Sequence, residues 1–434
     1  MAASATFLPS SVWALIKKDH LRTAHIGVGG MGMEDLQAVA SHPSVAVTAI
    51  CDVDAKAIKA AQKLYPKAKA YSDYRKLFDE MGNAIDAVII STPDHTHAPA
   101  SIRAMNMGKP VYCQKPLTHH VTEARAMKKL AADKKIITQM GIQVHSFYDY
   151  KLATMLIRGG IIGKVKCVRA WSPKNWGYDG PVPTGSDPVP SDLDWNLWLG
   201  TSAKRPYKKD VYHPGNWRKL VDYGCGTLGD MGVHIFDTPY NALELDVPLT
   251  IKTKCRKPNG FGFPENNTVT YTFPGTPYTT SSFKWVWYDG PSAPSKHREL
   301  KLPNKEALPD QGAMFIGEKG RLLLPHFMQL PKLIVKGKYE PFDISKYDTA
   351  GELGKPIRNY AQESPKHYHQ FVDACMGKGE CSAPFSYSAR LTETILLGVI
   401  AGRFPGKKLN WDSDKAQFSE SAANEFLDST YREF

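Results

Sequence analysis

Residues Gly27–Gly32 constrain this chain more than any other stretch of it. A short run, Thr23–Ile26, leads directly into the pattern G-x-G-x-x-G, and helix-forming residues follow over Glu34–Ala40. In a strand, tight turn and helix of this kind, the glycines permit the turn, the approach of a pyrophosphate and the close packing of helix on strand. Amides at the start of the helix then face the phosphates. Glycine triplets also occur in ordinary turns, so the surrounding sequence decides whether this is a dinucleotide site.

An acidic residue downstream supports the dinucleotide interpretation. Val45–Cys51 has the pattern of a buried strand, and Asp52 follows it, 20 residues after Gly32. A carboxylate there can accept hydrogen bonds from the adenosine ribose and repels a 2′-phosphate, which favours NAD over NADP. The alternative is that Asp52 only caps a helix over Ala55–Leu64. The spacing favours the ribose role.

Three further predicted strands complete one sheet. The apolar run Ala84–Ile90 is typical of a parallel strand covered on both faces, and Val111–Cys113 and Ile136–Met140 alternate with predicted helices. Residues 21–145 are therefore predicted to form a Rossmann domain, a doubly wound parallel sheet. Its ligands would lie at the carboxyl ends of the strands.

The pattern changes after residue 165, where strands and hairpin-like turns predominate. The predicted strands are Val165–Trp171, Thr250–Cys255, Asn267–Phe273, Thr280–Tyr288, Gly320–Leu324 and Leu333–Lys336. Residues 146–434 are predicted to form an α/β domain with a large open, mostly antiparallel sheet, and some of its helices return to the first domain. An open sheet needs a cover for one face, which a second copy can provide. We expect a homodimer or homotetramer that pairs through this sheet.

Composition narrows the class of protein. The 434 residues suffice for two domains, and the formal charge of +12 comes from scattered lysines rather than from a basic patch, which argues against a nucleic-acid partner. No run approaches the roughly 18 apolar residues that a membrane span needs. The seven cysteines show no C-x-x-C spacing, so neither a disulfide framework nor a zinc site is expected.

Residues 1–20 form a separate segment with two interpretations. Ala2–Ala14 is small, apolar and uncharged, like the end of an export signal that lacks its basic start. An N-terminal arm fits the same residues. The first interpretation places the protein outside the cytoplasm, as in a periplasm, and the second is compatible with the cytoplasm.

Two stretches supply candidate catalytic groups. Lys115 follows the strand Val111–Cys113 and precedes a proline, which would hold it at the nicotinamide end of the cleft, although surface lysine is the common alternative. Asp230 and His234 are four residues apart, so on an α-helix they would share a face. An aspartate that orients a histidine stabilises the imidazolium and makes a better base. A helix cap and a core histidine would fit the same spacing.

Several stretches occur together in a fixed order: Gly27–Gly32, Asp52, Ser91–His97, Gly108–Val111, Lys115–Pro116, Leu193–Gly200 and Gly226–Asp237. This ordered set, across residues 20–415, resembles the Gfo/Idh/MocA oxidoreductases, and specifically their carbohydrate-acting bacterial branch. The resemblance implies NAD(P)-dependent chemistry on sugars, cyclitols or their derivatives. It also implies that Lys115 is the catalytic lysine and that Asp230 and His234 are the acid–histidine pair. One departure is Gln114, because the family usually has Glu-Lys-Pro where this chain has Gln-Lys-Pro.

No metal site is expected, because the pairs His95/His97 and His119/His120 lack acidic or cysteine partners at useful spacing. The candidate site residues fall into two sets. The cofactor set is Gly27, Gly29, Gly30, Met31, Gly32, Asp52, Thr92, Pro93, His97, Gln114, Lys115, Gln143 and Trp198. The substrate set is Lys115, His145, Trp176, Tyr178, Asp230 and His234.

The expected function is an NAD-dependent dehydrogenase that moves a hydride between nicotinamide and a secondary hydroxyl of a sugar, glycoside or cyclitol, in some cases forming a keto-glycoside. His234 would take the hydroxyl proton and Lys115 would stabilise the developing alkoxide. An alternative on the same scaffold is a redox-neutral hydrolase or lyase that oxidises the sugar transiently with a tightly held NAD. A catalytically silent sensing module is a third. The sugar, the carbon oxidised and the direction stay open.

Overall fold

The structure is a computed structural model that describes residues 19–292, 294 and 297–434. The two interpretations of residues 1–20 therefore concern, apart from Asp19 and His20, a segment outside the described residues. Among the helices described, none combines the length and the apolar character that crossing a membrane requires.

The first domain is built on six parallel strands in the order β3-β2-β1-β4-β5-β6. Its strands are β1 (Leu21–Ile26), β2 (Val45–Cys51), β3 (Lys69–Tyr71), β4 (Ala87–Ile90), β5 (Val111–Gln114) and β6 (Thr138–Gly141). Its helices are α1 (Met31–Ala40), α2 (Ala55–Leu64), α3 (Tyr74–Met81), α4 (His97–Asn106) and α5 (Val121–Asp133). All four residues of β4 are buried, as expected for a parallel strand with helices on both faces. The predicted doubly wound sheet is confirmed.

The second sheet has ten strands in the order β14-β13-β12-β11-β7-β10-β9-β8-β15-β16. These are β7 (Val165–Ser172), β8 (Thr250–Lys254), β9 (Thr268–Pro274), β10 (Thr279–Asp289), β11 (Gln311–Gly317), β12 (Arg321–His326), β13 (Lys332–Val335), β14 (Lys338–Glu340), β15 (Lys408–Asp412) and β16 (Gln417–Phe418). β7 and β10 pair in parallel, and every other neighbouring pair is antiparallel. The mostly antiparallel sheet is confirmed, although β11 and β14–β16 were not predicted.

The remaining helices are α6 (Tyr148–Arg158), α7 (Trp195–Leu199), α8 (Val233–Ala242), α9 (Tyr360–Glu363), α10 (Pro365–Cys375), α11 (Phe385–Ala401) and α12 (Ser421–Asn424). Three side chains of α10, Tyr368, Phe371 and Val372, are buried against the first sheet and α1. This contact brings residues far along the chain next to the glycine turn. The division at residue 145 stays a prediction.

A buried cluster of charged side chains connects α5 of the first domain to α11 and β15 of the second domain. Glu393 on α11 is fully buried and accepts hydrogen bonds from Arg125 (2.6 and 3.0 Å), Arg390 (2.9 Å) and the Trp411 indole (3.1 Å). Its partners lie on α5, α11 and β15. One carboxylate thus accepts four hydrogen bonds from three residues on three elements.

Removing that carboxylate leaves two arginines without their shared partner. We expect Glu393→Ala to lower the free energy of unfolding by about 3–5 kcal/mol, because a half-broken buried ion pair is strongly destabilising. Urea denaturation followed by tryptophan fluorescence measures it. The control is Asp133→Asn, which removes the exposed Lys129–Asp133 pair on α5 and should change stability by about 0.5 kcal/mol or less. Equal effects of the two substitutions would show that the contacts of Glu393 do not hold the two domains together.

Candidate active site

The glycine turn has two tightly packed glycines and two open ones. A Cβ on Gly32 would lie 2.2 Å from the Gly27 carbonyl oxygen, and one on Gly27, which has a φ of +84°, would lie 2.6 Å from the Ser91 carbonyl oxygen. No atom lies within 4 Å of a Cβ on Gly30, and the nearest to one on Gly29 is Ala57 Cβ at 3.4 Å. The first pair therefore lets the turn pack against its own sheet. The second pair leaves bare backbone facing open space, which fits a pyrophosphate.

Asp52 organises the end of β2 next to this turn. Its Oδ2 accepts from the Val28 amide at 2.8 Å and its Oδ1 from the Asp54 amide at 3.0 Å. Burial, the largest effect, raises the pKa of the Asp52 carboxyl. Each oxygen keeps a free lone pair, so the carboxylate can still accept from ribose hydroxyls.

These groups line one cleft of about 800 Å³ between the two domains. Every residue of the predicted cofactor set lines it except Gly32, whose role is the close packing of helix on strand. Further lining residues that were not predicted come from both domains, and those from the second are Lys174, Leu197, His213, Pro214, Gly215, Trp217, Arg218, Met231, His326, Phe327 and Tyr360.

The second domain reaches over the cleft beside Asp52. Residues 192–194 run beside residues 53–55, with the Ala55 amide donating to the Asp192 carbonyl at 2.8 Å. His213 Nε2 lies 2.9 Å from Asp54 Oδ2. Trp198, predicted to pack on the cofactor, is buried beside His95 and lines the cleft.

Asp230 lies at the centre of the end of the cleft opposite Asp52. It lies in a π-helical turn, Leu228–Gly232, immediately before α8. Its Oδ1 accepts from Lys115 Nζ at 2.9 Å, and its Oδ2 accepts from the Trp176 indole at 2.5 Å and lies 3.0 Å from Lys174 Nζ. Arg218 Nε is 3.5 Å away. Burial favours the neutral acid, but Lys115, Lys174 and Arg218 outweigh it and hold the pKa of Asp230 well below its usual range.

His234 lines the cleft, but Asp230 does not orient it. Among the described residues, its buried Nδ1 has no hydrogen-bond partner. Burial and the nearby charge of Lys115 hold its pKa well below the usual value, so the imidazole is neutral. The expected Asp230–His234 pair assumed α-helical spacing. The π turn changes the rotation between the two residues, and the cations and Trp176 take both Asp230 oxygens.

A second histidine was missed by the sequence analysis. His326 ends β12, lines the cleft, and has its ring centre 6.3 Å from that of His234. Its Nδ1 is 2.6 Å from the Tyr150 hydroxyl, and burial lowers its pKa to about 4. A lone histidine at a strand end carries no pattern that would single it out.

Three predicted substrate residues, His145, Trp176 and Tyr178, are not among the residues that line the cleft. His145 Nδ1 pairs with Asp237 at 2.8 Å. The Tyr178 hydroxyl donates to the Pro181 carbonyl at 2.8 Å. The Trp176 ring is faced by Lys174 at 5.2 Å and by Arg218 at 5.8 Å, so Trp176 reaches the site only through its indole donor.

Gln114, the departure from the family motif, has a structural explanation. Its Nε2 donates to both oxygens of Asp35 at 3.0 Å, and its Oε1 accepts from the Lys115 amide at 3.1 Å. Asp35 on α1 is fully buried and also accepts from Ser91 (2.6 Å) and from Tyr368 (2.7 Å). Burial raises the pKa of Asp35 to about 6 against the effect of these donors. A neutral donor at position 114 therefore suits the buried acid.

No group of three or more histidine, cysteine, aspartate or glutamate side chains converges on a metal-sized site among the residues described. The fold and the cleft together define a dinucleotide-binding protein with a charged pocket contributed by a second domain.

Comparison with known proteins agrees with this class. Residues 21–142 match the family model described as "Oxidoreductase family, NAD-binding Rossmann fold", and residues 156–273 match the model described as "Oxidoreductase family, C-terminal alpha/beta domain". The chain belongs to this family, Gfo/Idh/MocA.

Curated relatives include levoglucosan dehydrogenase of Pseudarthrobacter phenanthrenivorans, 26% identical over 50% of this chain and 50% of the relative. Inositol 2-dehydrogenase of Salmonella typhimurium is 32% identical over 33% of this chain and 43% of the relative. The match thus spans half or less of these relatives. A solved structure of levoglucosan dehydrogenase, in complex with NADH and L-sorbose, superposes with a TM-score of 0.64 at 18% identity, covering 91% of this chain and 99% of that one. This last likeness shows the fold.

Because of the Asp35–Gln114 contact, we expect the usual family residue at position 114 to destabilise this protein. Gln114→Glu restores the usual family residue, yet it places a carboxylate against a buried one, so we expect a loss of about 3 kcal/mol in unfolding free energy. Adding Asp35→Asn returns an amide to the pair and should recover most of the loss. Urea denaturation of both variants measures this. An unchanged free energy of unfolding in Gln114→Glu would refute the pairing. A double variant that is no more stable than Gln114→Glu alone would refute it as well.

Proposed function

We propose that this protein is an NAD-dependent oxidoreductase that moves a hydride between nicotinamide and a secondary hydroxyl of a sugar, glycoside or cyclitol. The observation that carries the proposal is the meeting of Lys115, Asp230 and His234 in the same cleft as the glycine turn and Asp52. Two curated relatives are named dehydrogenases of such compounds. When bound, NAD supplies the hydride acceptor or donor.

The proposed roles follow from charge and protonation. His234 is neutral, so it can accept the proton of a substrate hydroxyl during oxidation. Lys115 lies beside it in the cleft and stabilises negative charge that develops on the same oxygen. Asp230 acts by holding the Lys115 ammonium in place rather than by orienting His234.

The second domain is also proposed to pair with another copy, as a homodimer or homotetramer, through its ten-stranded sheet. The support is the sheet itself: β8 and β9 alternate buried and partly or fully exposed positions, so one of their faces lacks a full cover within the chain. Sedimentation equilibrium at micromolar concentration should give two or four chains. A monomer would refute this part.

Single substitutions separate chemistry from cofactor binding. Lys115→Met and His234→Ala should each lower turnover by about 10²–10⁴-fold, because each removes a proton-transfer or charge-stabilising group. NAD affinity, measured by quenching of tryptophan fluorescence, should change little. Tyr178→Phe is the control, since its hydroxyl lies outside the cleft and its loss should leave turnover unchanged.

The assay is a panel of sugars, glycosides and cyclitols, run with and without added NAD. NADH formation that depends on added NAD supports the proposal. Release of an aglycone without added NAD identifies the redox-neutral alternative instead. Near-normal turnover of either variant on the sugar that the wild type oxidises would remove that residue from the mechanism.

A further inference from the structure

The end of the cleft around Asp230 holds more positive charge than one hydride-transfer centre requires. Lys115, Lys174 and Arg218 all approach the Asp230 carboxylate within 3.5 Å, and we call these three side chains the cation cluster. A fourth cation, Lys219, lies 5.9 Å from the centre of the Trp176 ring. One carboxylate neutralises one of these charges.

The second acid of this region, Asp94, does not neutralise the remaining positive charges. Asp94 lines the same cleft and interacts electrostatically with Arg218 and Lys115. Burial, the largest effect, raises its pKa to about 7, so it carries only part of a negative charge near neutral pH. The region therefore keeps a net positive charge even when both acids are counted.

Two members of the cation cluster have donor capacity left. The Arg218 side chain is 28% exposed, and no described residue accepts a hydrogen bond from its guanidinium within normal distance. The Lys174 side chain is 44% exposed; besides Asp230, its ammonium meets only weak partners among the described residues, the Met231 sulfur at 3.9 Å and the face of the Trp176 ring at 5.2 Å. Lys115, by contrast, donates twice to Asp230, to a side-chain and to a backbone oxygen.

Such an arrangement suits an anionic ligand. Like charges held together repel one another, and the repulsion is relieved when an anion enters. A guanidinium offers a planar pair of donors that matches carboxylate and phosphate oxygens, and a lysine adds a point charge. The hydroxyls of a neutral sugar can accept hydrogen bonds from these donors, but they leave the positive charge uncompensated.

We propose that the substrate carries an anionic substituent, a carboxylate or a phosphate, and that Lys174 and Arg218 bind it beside Asp230. This inference rests on the proposed function, since it names the class of sugar which the dehydrogenase accepts. It assigns the two residues to substrate selection and leaves Lys115 and His234 to the chemistry.

Matched substrate pairs test this directly. The probes are methyl glycosides of glucose, galactose and mannose, the corresponding methyl uronides, and the corresponding 6-phosphates, each assayed for kcat/KM with NAD. We expect the wild type to prefer one anionic series over its neutral partner by at least about tenfold. Whichever anionic series is preferred identifies carboxylate or phosphate as the group bound.

Variants locate the preference. Arg218→Gln and Lys174→Gln should each reduce the anionic-to-neutral ratio of kcat/KM at least about fivefold, mainly through KM, because the charge acts on binding. Rising salt should reduce the wild-type ratio as well, since both side chains are partly exposed. Lys208→Gln is the matched control, because Lys208 lies in the same region of the chain but pairs with Asp187 outside the cleft. Thermal unfolding of each variant verifies folding, and the more exposed Lys174 is the substitution the fold tolerates best.

The outcomes of this test are distinct. Neutral glycosides oxidised as well as both anionic series would overturn the inference and leave the proposed function intact. A fall in NAD affinity in the Arg218 or Lys174 variant, with an unchanged substrate ratio, would reassign these cations to the cofactor and also overturn it. If no glycoside yields NADH, the proposed function fails; calorimetric binding of a methyl uronide or 6-phosphate that is lost in Arg218→Gln would then still support the anion site, and no binding would refute it.

Discussion

The carboxylate of Asp230 is the contact on which the site depends. It joins Lys115, in the loop after β5 of the first domain, to Lys174 and Trp176, which follow β7 of the second. Without it, Lys115 and Lys174 would repel each other across the interface between the domains. The strongly lowered pKa of Asp230 means that the surrounding charges stabilise its ionised form more than burial opposes it. The geometry of the cleft is thus tied to the charge of one side chain.

The cofactor side of the cleft is fixed by a second buried acid. Asp35 joins α1, which follows the glycine turn, to Gln114, the residue before Lys115, and to Tyr368 on α10. In this chain the negative charge lies on Asp35 and an amide lies at position 114. The usual family residue at position 114 would place a negative charge next to Lys115. Here that charge lies instead on Asp35, which contacts Gln114.

Local patterns predicted the first domain well, because glycine spacing, Asp52 and strand periodicity depend on residues close in sequence. The residues that the second domain contributes to the cleft were harder to predict. Lys174 lies in a loop, Arg218 in a short 3-10 helix and His326 at a strand end, and only the tertiary fold brings them to Lys115. The Asp230–His234 pairing was wrong in its geometry because the spacing argument assumed an α-helix, and no sequence signal marked the π turn. His145 and Tyr178 have the right chemistry, but each finds a partner outside the cleft.

We expect a bound NAD to present its nicotinamide at the Asp230 end of the cleft. A crystal structure of the protein with NAD tests it without knowledge of the sugar. We expect the adenosine ribose at Asp52, the pyrophosphate over Gly29 and Gly30, and the nicotinamide beside Lys115 and His234, with the Lys115–Asp230 contact retained. A nicotinamide directed away from these two side chains, or a Lys115 that leaves Asp230 to bind the pyrophosphate, would contradict it.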